Sequence, residues 1–189
     1  MTSAADLEIV PLTLHIGAEI RGVDLSKPMT EDVRQAVYDA FLKWKVVFFR
    51  GQHLDHAGHV DFARQMGEPT IGHAVFGHDP DYPEIYSVAK FRTAQTHRSA
   101  KMQRPWTGWH TDITAAINPP KASILRGVTI PPYGGDTLWT NLNAAYEGLS
   151  DTFRSIVDGL KGVHRFEAPA SASKDLSLIH ISEPTRPLD

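Results

Sequence analysis

A mainly β fold with flanking helices, of the α+β kind and built as a sandwich or jelly roll with its helices packed outside, is what this sequence predicts. Three observations point there. Short runs rich in β-branched and aromatic residues recur along the chain, among them Val46-Val47-Phe48-Phe49 and Thr137-Leu138-Trp139-Thr140. Turns rich in glycine and proline separate them, as at Asn118-Pro119-Pro120 and Pro131-Pro132-Tyr133-Gly134-Gly135-Asp136. Only a few stretches carry helical periodicity, which suits helices laid against sheets rather than a bundle.

Taken in order, Ile9 to Leu25 mixes β-branched residues with Gly17 and Gly22, a pattern of short strands with a tight bend. Thr30 can cap a helix whose apolar residues Val33, Ala36, Val37, Ala40, Phe41 and Trp44 share one face, a core-packing stripe. The run Val46–Phe49 follows at once and reads as a buried strand stopped by Arg50-Gly51. Asp55 stands at the N-cap of a second helix carrying Val60, Ala63 and Met66 and ended by Gly67. His53, His56 and His59 surround that helix start, where a polar setting predicts solvated side chains rather than metal ligands.

Glu84–Ala89 reads as a strand, and from Lys90 to Gly108 neither helical nor strand periodicity is visible. This stretch carries Lys90, Arg92, His97, Arg98, Lys101 and Arg104 around Trp106. It is either a solvated loop or a positively charged flap that draws in an anionic substrate. Ala122–Ile130 and Thr137–Thr140 are expected strands, Asn141 caps a short helix through Tyr146, and Ser150 caps another that ends at Gly162.

The chemistry-bearing motif is Trp109-His110-Thr111-Asp112. In an extended strand, residues two apart point to the same face, so His110 and Asp112 can converge on one ion. With one more distant His, such a pair makes the 2-His-1-carboxylate triad that holds Fe(II) and leaves coordination positions open. On spacing alone, such a pair is more often a surface turn than a pair of ligands.

Composition narrows the field. The chain has 189 residues, enough for one domain with a real core, and 41% hydrophobic with 22% charged residues is the balance of a globular protein. A net charge of −3 gives no hint of nucleic acid, the basic residues being scattered apart from the stretch 90–104, and no stretch has the length of a membrane span. The first residues lack the pattern of a secretory leader, so the cytoplasm is the expected compartment. Zero cysteines exclude disulfides, thiolate metal sites and cysteine nucleophiles, so any metal must be held by nitrogen and oxygen.

Several ordered blocks together resemble the taurine dioxygenase family of Fe(II)- and 2-oxoglutarate-dependent oxygenases, which includes sulfonate, alkyl sulfate ester and phenoxyacid dioxygenases. They are Ile16-Gly17-Ala18, Gly22-Val23-Asp24-Leu25, Val46–Arg50, the Trp-His-Thr-Asp run, the Asn-Pro-Pro turn, and Gly134–Thr140 followed by Ala144-Ala145-Tyr146. The resemblance runs through nearly all of residues 8 to 166. It implies a double-stranded β-helix of the jelly-roll, cupin-like type, incomplete in this chain. It also implies His110 and Asp112 as iron ligands and Thr137 as the hydroxyl that helps hold the cosubstrate 2-oxoglutarate. His73 and Phe76 resemble the family's substrate-pocket histidine and its aromatic neighbour. Trp106 stands where taurine-specific members carry an amide side chain, which leaves room for a larger or more apolar sulfonate or sulfate ester.

The implied reaction converts 2-oxoglutarate to succinate while hydroxylating the substrate next to its sulfonate or sulfate group. The product collapses to an aldehyde and sulfite or sulfate. The family's third ligand, a distal His, and its 2-oxoglutarate-binding Arg lie beyond the matched segment, and His164 falls at a non-ligand position. Residues 176–189 resemble the translation of a sequencing adapter, so residues 1–175 are expected to be the N-terminal part of one dioxygenase domain and the chain by itself inactive. A zinc-dependent cupin-like hydrolase using the same pair, and a non-catalytic fragment that binds anions through the basic loop, remain as alternatives. Whether the full-length parent is a homo-oligomer is left open by the sequence.

Overall fold

In a computed structural model, residues 3–72, 77–88, 109–134 and 136–164 are described. They belong to two units, one made of Met1–Pro69 with Ile124–Gly159 and the other of Thr70–Ser123 with Leu160–Asp189.

The first unit is built on helix α1 (Glu31–Trp44), where the apolar spacing becomes burial: Val33, Val37 and Ala40 are all buried. Thr30 occupies the N-cap, but its hydroxyl bonds the Asp32 carboxylate instead of a helix N–H. At the other end Lys45 adopts a left-handed conformation (φ 65°), and its amide closes the last turn on the Phe41 carbonyl. Its ammonium also donates to the Leu42 carbonyl at 2.6 Å, which satisfies a carbonyl that the helix leaves unpaired.

Around α1 lies a three-stranded mixed sheet of β1 (Glu8–Pro11), β2 (Ala18–Arg21) and β3 (Val47–Phe48), in that order. Strands β1 and β2 pair antiparallel with Ile9 opposite Ile20, whereas β2 and β3 pair parallel with Ala18 opposite Val47. Parallel strands need a long crossover, and α1 supplies it. Gly17 and Gly22 bracket β2 at φ 88° and 86°. A side chain at Gly22 would also meet the Asp6 carbonyl at 2.3 Å, so only glycine lets the chain turn there.

The core joins Ile20, Val23, Leu25, Val33, Val37, Ala40 and Phe62, with Val47, Phe49 and Met66 among the residues packed on it. Phe62 comes from helix α2 (His56–Met66), whose Asp55 cap accepts from the Gly58 amide at 2.8 Å as the sequence predicts. Phe62 meets Phe49 edge to face at 5.7 Å. On the opposite face of β2, the buried Glu19 bonds Arg21 at 2.9 Å and Arg50 at 3.2 Å. The Arg21 hydrogen bond, joined by that of Arg50, holds the Glu19 carboxyl below its ordinary 4.5 although burial pushes it up.

Helices α3 (Leu142–Glu147) and α4 (Asp151–Val157) start where expected, capped by Asn141 onto the Ala144 amide and by Ser150 onto the Phe153 amide. Helix α4 stops at Val157 rather than Gly162, with Phe153 and Ile156 exposed. A short helix needs an apolar face packed on something to extend further, and this one has none among the described residues. The strands expected at 84–89, 122–130 and 137–140 are absent as paired strands among the described residues. Their composition favours extended backbone, but a strand exists only where a neighbour takes its N–H and C=O groups. No described helix is long and apolar enough to cross a membrane.

Two measurements check this account. In urea unfolding, Ile20→Ala lowers stability by about 2–5 kcal/mol, because it opens a cavity in the core, while Leu42→Ala at an exposed site changes it by less than about 0.5 kcal/mol. The Glu19 contribution is present above its ordinary 4.5 and is lost as pH falls through the lowered folded value, so Glu19→Gln flattens the acid limb of the stability profile.

Candidate metal centre

His110 and Asp112 lie in the second unit, outside any helix or strand. The extended strand expected to align them is not there: residues 109–111 form no regular element and a turn begins at Asp112. The two side chains converge nevertheless, with His110 Nε2 at 3.2 Å from Asp112 Oδ1.

The turn is what sets up this approach. Ile113 sits at φ 55°, a left-handed conformation that a β-branched residue rarely adopts, and the Ala116 amide donates back to the Ile113 carbonyl at 3.2 Å. Strain of this kind costs about 1–3 kcal/mol and persists only where the surroundings impose it. Here it lies directly beside the candidate ligand. Ala115, two residues on, is buried and seats the turn.

The donor pair fits a divalent cation. A His nitrogen and a carboxylate oxygen bound at right angles to one ion, each about 2.1 Å away, stand about 3 Å apart. The side chains are 50% and 55% exposed, so further ligands can reach an ion between them. A nitrogen and an oxygen donor without thiolate suit iron, zinc and manganese alike. Among the described residues, no group of three or more His, Cys, Asp or Glu gathers at one place.

Thr137 belongs to the first unit, on an exposed stretch that leads into α3. Trp139 anchors this stretch, meeting Phe48 of β3 edge to face at 5.8 Å. Asn141 anchors it again, because its side chain donates to the His15 carbonyl at 2.7 Å while capping α3. The hydroxyl of Thr137 is thus carried on a segment held at two points.

His73, Phe76 and Trp106 lie outside the described residues, as do the basic stretch 90–108 and residues 176–189. Two features escaped the sequence reading. Ile113 carries no local signal, since nothing in its neighbours announces a left-handed residue. Arg126 does carry one, being a lone cation in the apolar run Ala122–Ile130. It reaches His56 and the Leu54 carbonyl, so His56 and His59 are not the solvated residues expected.

Comparison with known proteins adds a family and relatives. The family described as taurine catabolism dioxygenase TauD, TfdA matches residues 8–185. An alpha-ketoglutarate-dependent sulfate ester dioxygenase of Pseudomonas putida is 40% identical over 165 residues, 87% of this chain and 51% of that protein. An alkylsulfatase of Acinetobacter baylyi is 37% identical over 85% of this chain and 48% of its own length. The chain therefore spans about half the length of the curated relatives it matches. The crystal structure of a taurine dioxygenase from Burkholderia xenovorans superimposes with a TM-score of 0.73 at 56% identity, covering 86% of this chain and 54% of that one.

The pair makes a direct prediction for metal titration of the 189-residue chain with Co(II), followed by absorption. His110→Ala and Asp112→Ala each weaken binding at least about tenfold, more than the loss of a supporting group around a ligand, whereas His164→Ala leaves it unchanged. Equal affinity in all four chains would remove the pair from consideration.

Proposed function

Because the chain belongs to the taurine catabolism dioxygenase TauD, TfdA family, we propose that the whole protein is an Fe(II)- and 2-oxoglutarate-dependent dioxygenase. Its substrate is a small organosulfur anion, a sulfonate such as taurine or an alkyl sulfate ester. The observation that carries this reading is the approach of His110 Nε2 to Asp112 Oδ1 at 3.2 Å, inside the segment that the family match covers. The relatives named for sulfate esters and alkylsulfatase activity support the substrate class.

When bound, iron and 2-oxoglutarate would supply the oxidising chemistry with dioxygen as oxidant, one oxygen atom going to succinate as the 2-oxo acid loses carbon dioxide and the other to the hydroxyl on the substrate carbon. The residues of this chain bind and orient. His110 and Asp112 would hold the cation through one nitrogen and one oxygen. Thr137 donates its hydroxyl to a carboxylate of 2-oxoglutarate, an anion that a neutral donor can orient without neutralising. By the family resemblance His73 and Phe76 are assigned to substrate binding, and Trp106 leaves room for a substrate larger or more apolar than taurine. Hydroxylation of the carbon next to the sulfur-bearing group leaves an unstable adduct, which parts into an aldehyde and inorganic sulfite or sulfate. In this reading residues 1–175 form the N-terminal part of one dioxygenase domain of double-stranded β-helix architecture.

The test is sulfate release from an alkyl sulfate by the whole protein, measured together with succinate. Release in step with succinate, lost on omitting 2-oxoglutarate or oxygen and lost in His110→Ala, is the expected result. Sulfate release that needs neither oxygen nor 2-oxoglutarate would instead mark a hydrolase. The 189-residue chain alone is expected to give little or no turnover, and succinate formation above a His110→Ala control would overturn that.

A further inference from the structure

The start of α2 and the segment 124–126, both in the first unit, meet through a cluster that the proposed reaction does not use. Arg126 donates through one terminal nitrogen to the Leu54 carbonyl and through the other, at 3.0 Å, to His56 Nδ1. From the same helix, His59 Nε2 donates to the Ile124 carbonyl at 3.1 Å. A segment without ladder partners among the described residues is thereby held across about seventy residues of sequence by side-chain hydrogen bonds.

Each bond fixes a protonation state. A guanidinium only donates and does not lose its proton, so His56 Nδ1 must accept and cannot carry a hydrogen. A carbonyl only accepts, so His59 Nε2 carries the hydrogen, and the remaining nitrogen, Nδ1, is the one left to titrate. That Nδ1 is buried and has no hydrogen-bond partner among the described residues, and the same holds for Arg126 Nε. A proton on His59 would bury an unsatisfied N–H beside a guanidinium.

We propose that Arg126, His56 and His59 form an acid-released clamp, which ties residues 124–126 to the start of α2 while the His59 imidazole is neutral and lets them go when it is protonated. No carboxylate is among the charges that act on His59. The charges that act on His59 are those of Arg126, from the clamped segment, and of His56, from its own helix; α1, also packed on α2, adds none. The nearby Asp55 carboxylate is engaged by the Gly58 amide at the N-cap. Burial holds the His59 imidazole below its ordinary 6.5, against the Ile124 carbonyl bond and assisted by Arg126 and His56. A folded-state value below the unfolded one means that this stabilisation is complete above 6.5 and is lost as pH falls. The clamped segment runs on toward Thr137, so its release loosens the chain ahead of that residue.

The chain has no cysteine, so a single introduced thiol can report on the clamp. Leu125 is 69% exposed and next to Arg126, so Leu125→Cys carrying a nitroxide follows the segment, while Leu42→Cys on α1 follows the rest of the unit. Between about pH 7.5 and pH 5.5, the label at 125 gains mobility by about twofold or more, as a segment set free of its contacts does, and the label at 42 does not change. Replacing both histidines by glutamine keeps an acceptor and a donor that do not titrate, and the label at 125 stays immobile at both pH values. Arg126→Met gives a mobile label throughout. An unchanged label at 125 in the native background overturns the clamp, as does the same acid transition in the double glutamine variant. If that variant does not fold, as the label at 42 would reveal, the native chain against Arg126→Met decides: mobility that differs between them at pH 7.5 and coincides at 5.5 upholds the clamp, and any other pattern refutes it.

Discussion

The seating of Ile20 among Val33, Val37, Ala40 and Phe62 is the contact on which the first unit depends. It decides which face of β2 looks inward and therefore, because side chains alternate along a strand, sends Glu19 to the other side. There the carboxylate is buried, a situation that would be costly for an isolated charge, and Arg21 with Arg50 relieves it. The same contact orients α1 as the crossover between the parallel strands β2 and β3. Strand β3 in turn presents Phe48 to Trp139, which anchors the stretch carrying Thr137. One hydrophobic contact thus reaches, through ordinary packing, to a residue proposed to hold the cosubstrate.

The second unit follows a different logic. His110 and Asp112 are brought together by a turn whose next residue is held in a left-handed conformation, without help from a ladder. Convergence of a nitrogen and an oxygen donor at 3.2 Å is what a divalent cation requires of two neighbouring ligands. The fold supports the donors, while the identity of the metal is left to donor chemistry and to the family.

Much of this was legible in the sequence because it rests on local chemistry. The caps at Asp55, Asn141 and Ser150 were readable, since each needs only a side-chain oxygen and an amide a few residues on. The α1 stripe was readable from its period, whereas the approach of His110 to Asp112 was expected on an extended strand and occurs instead beside a turn. What was not legible depends on distant partners. Ala122–Ile130 has a strand's composition, yet pairing is not a local property, and Leu125, Val128 and Ile130 stand exposed. His56 and His59 looked solvated because their partners, Arg126 and the Ile124 carbonyl, lie some seventy residues away. Ile113 was unreadable for another reason: its conformation opposes its own preference.

The central claim, that His110 and Asp112 hold one metal ion against which 2-oxoglutarate is bound, is tested most directly by diffraction. The whole protein would be crystallised with Mn(II) and 2-oxoglutarate, and the ion located by its anomalous signal. The account predicts a single ion about 2.0–2.2 Å from both His110 Nε2 and an Asp112 oxygen, with the Thr137 hydroxyl in hydrogen-bond contact with a carboxylate of the 2-oxo acid. An ion bound elsewhere, or His110 and Asp112 paired only with each other while 2-oxoglutarate sits on other residues, would contradict it.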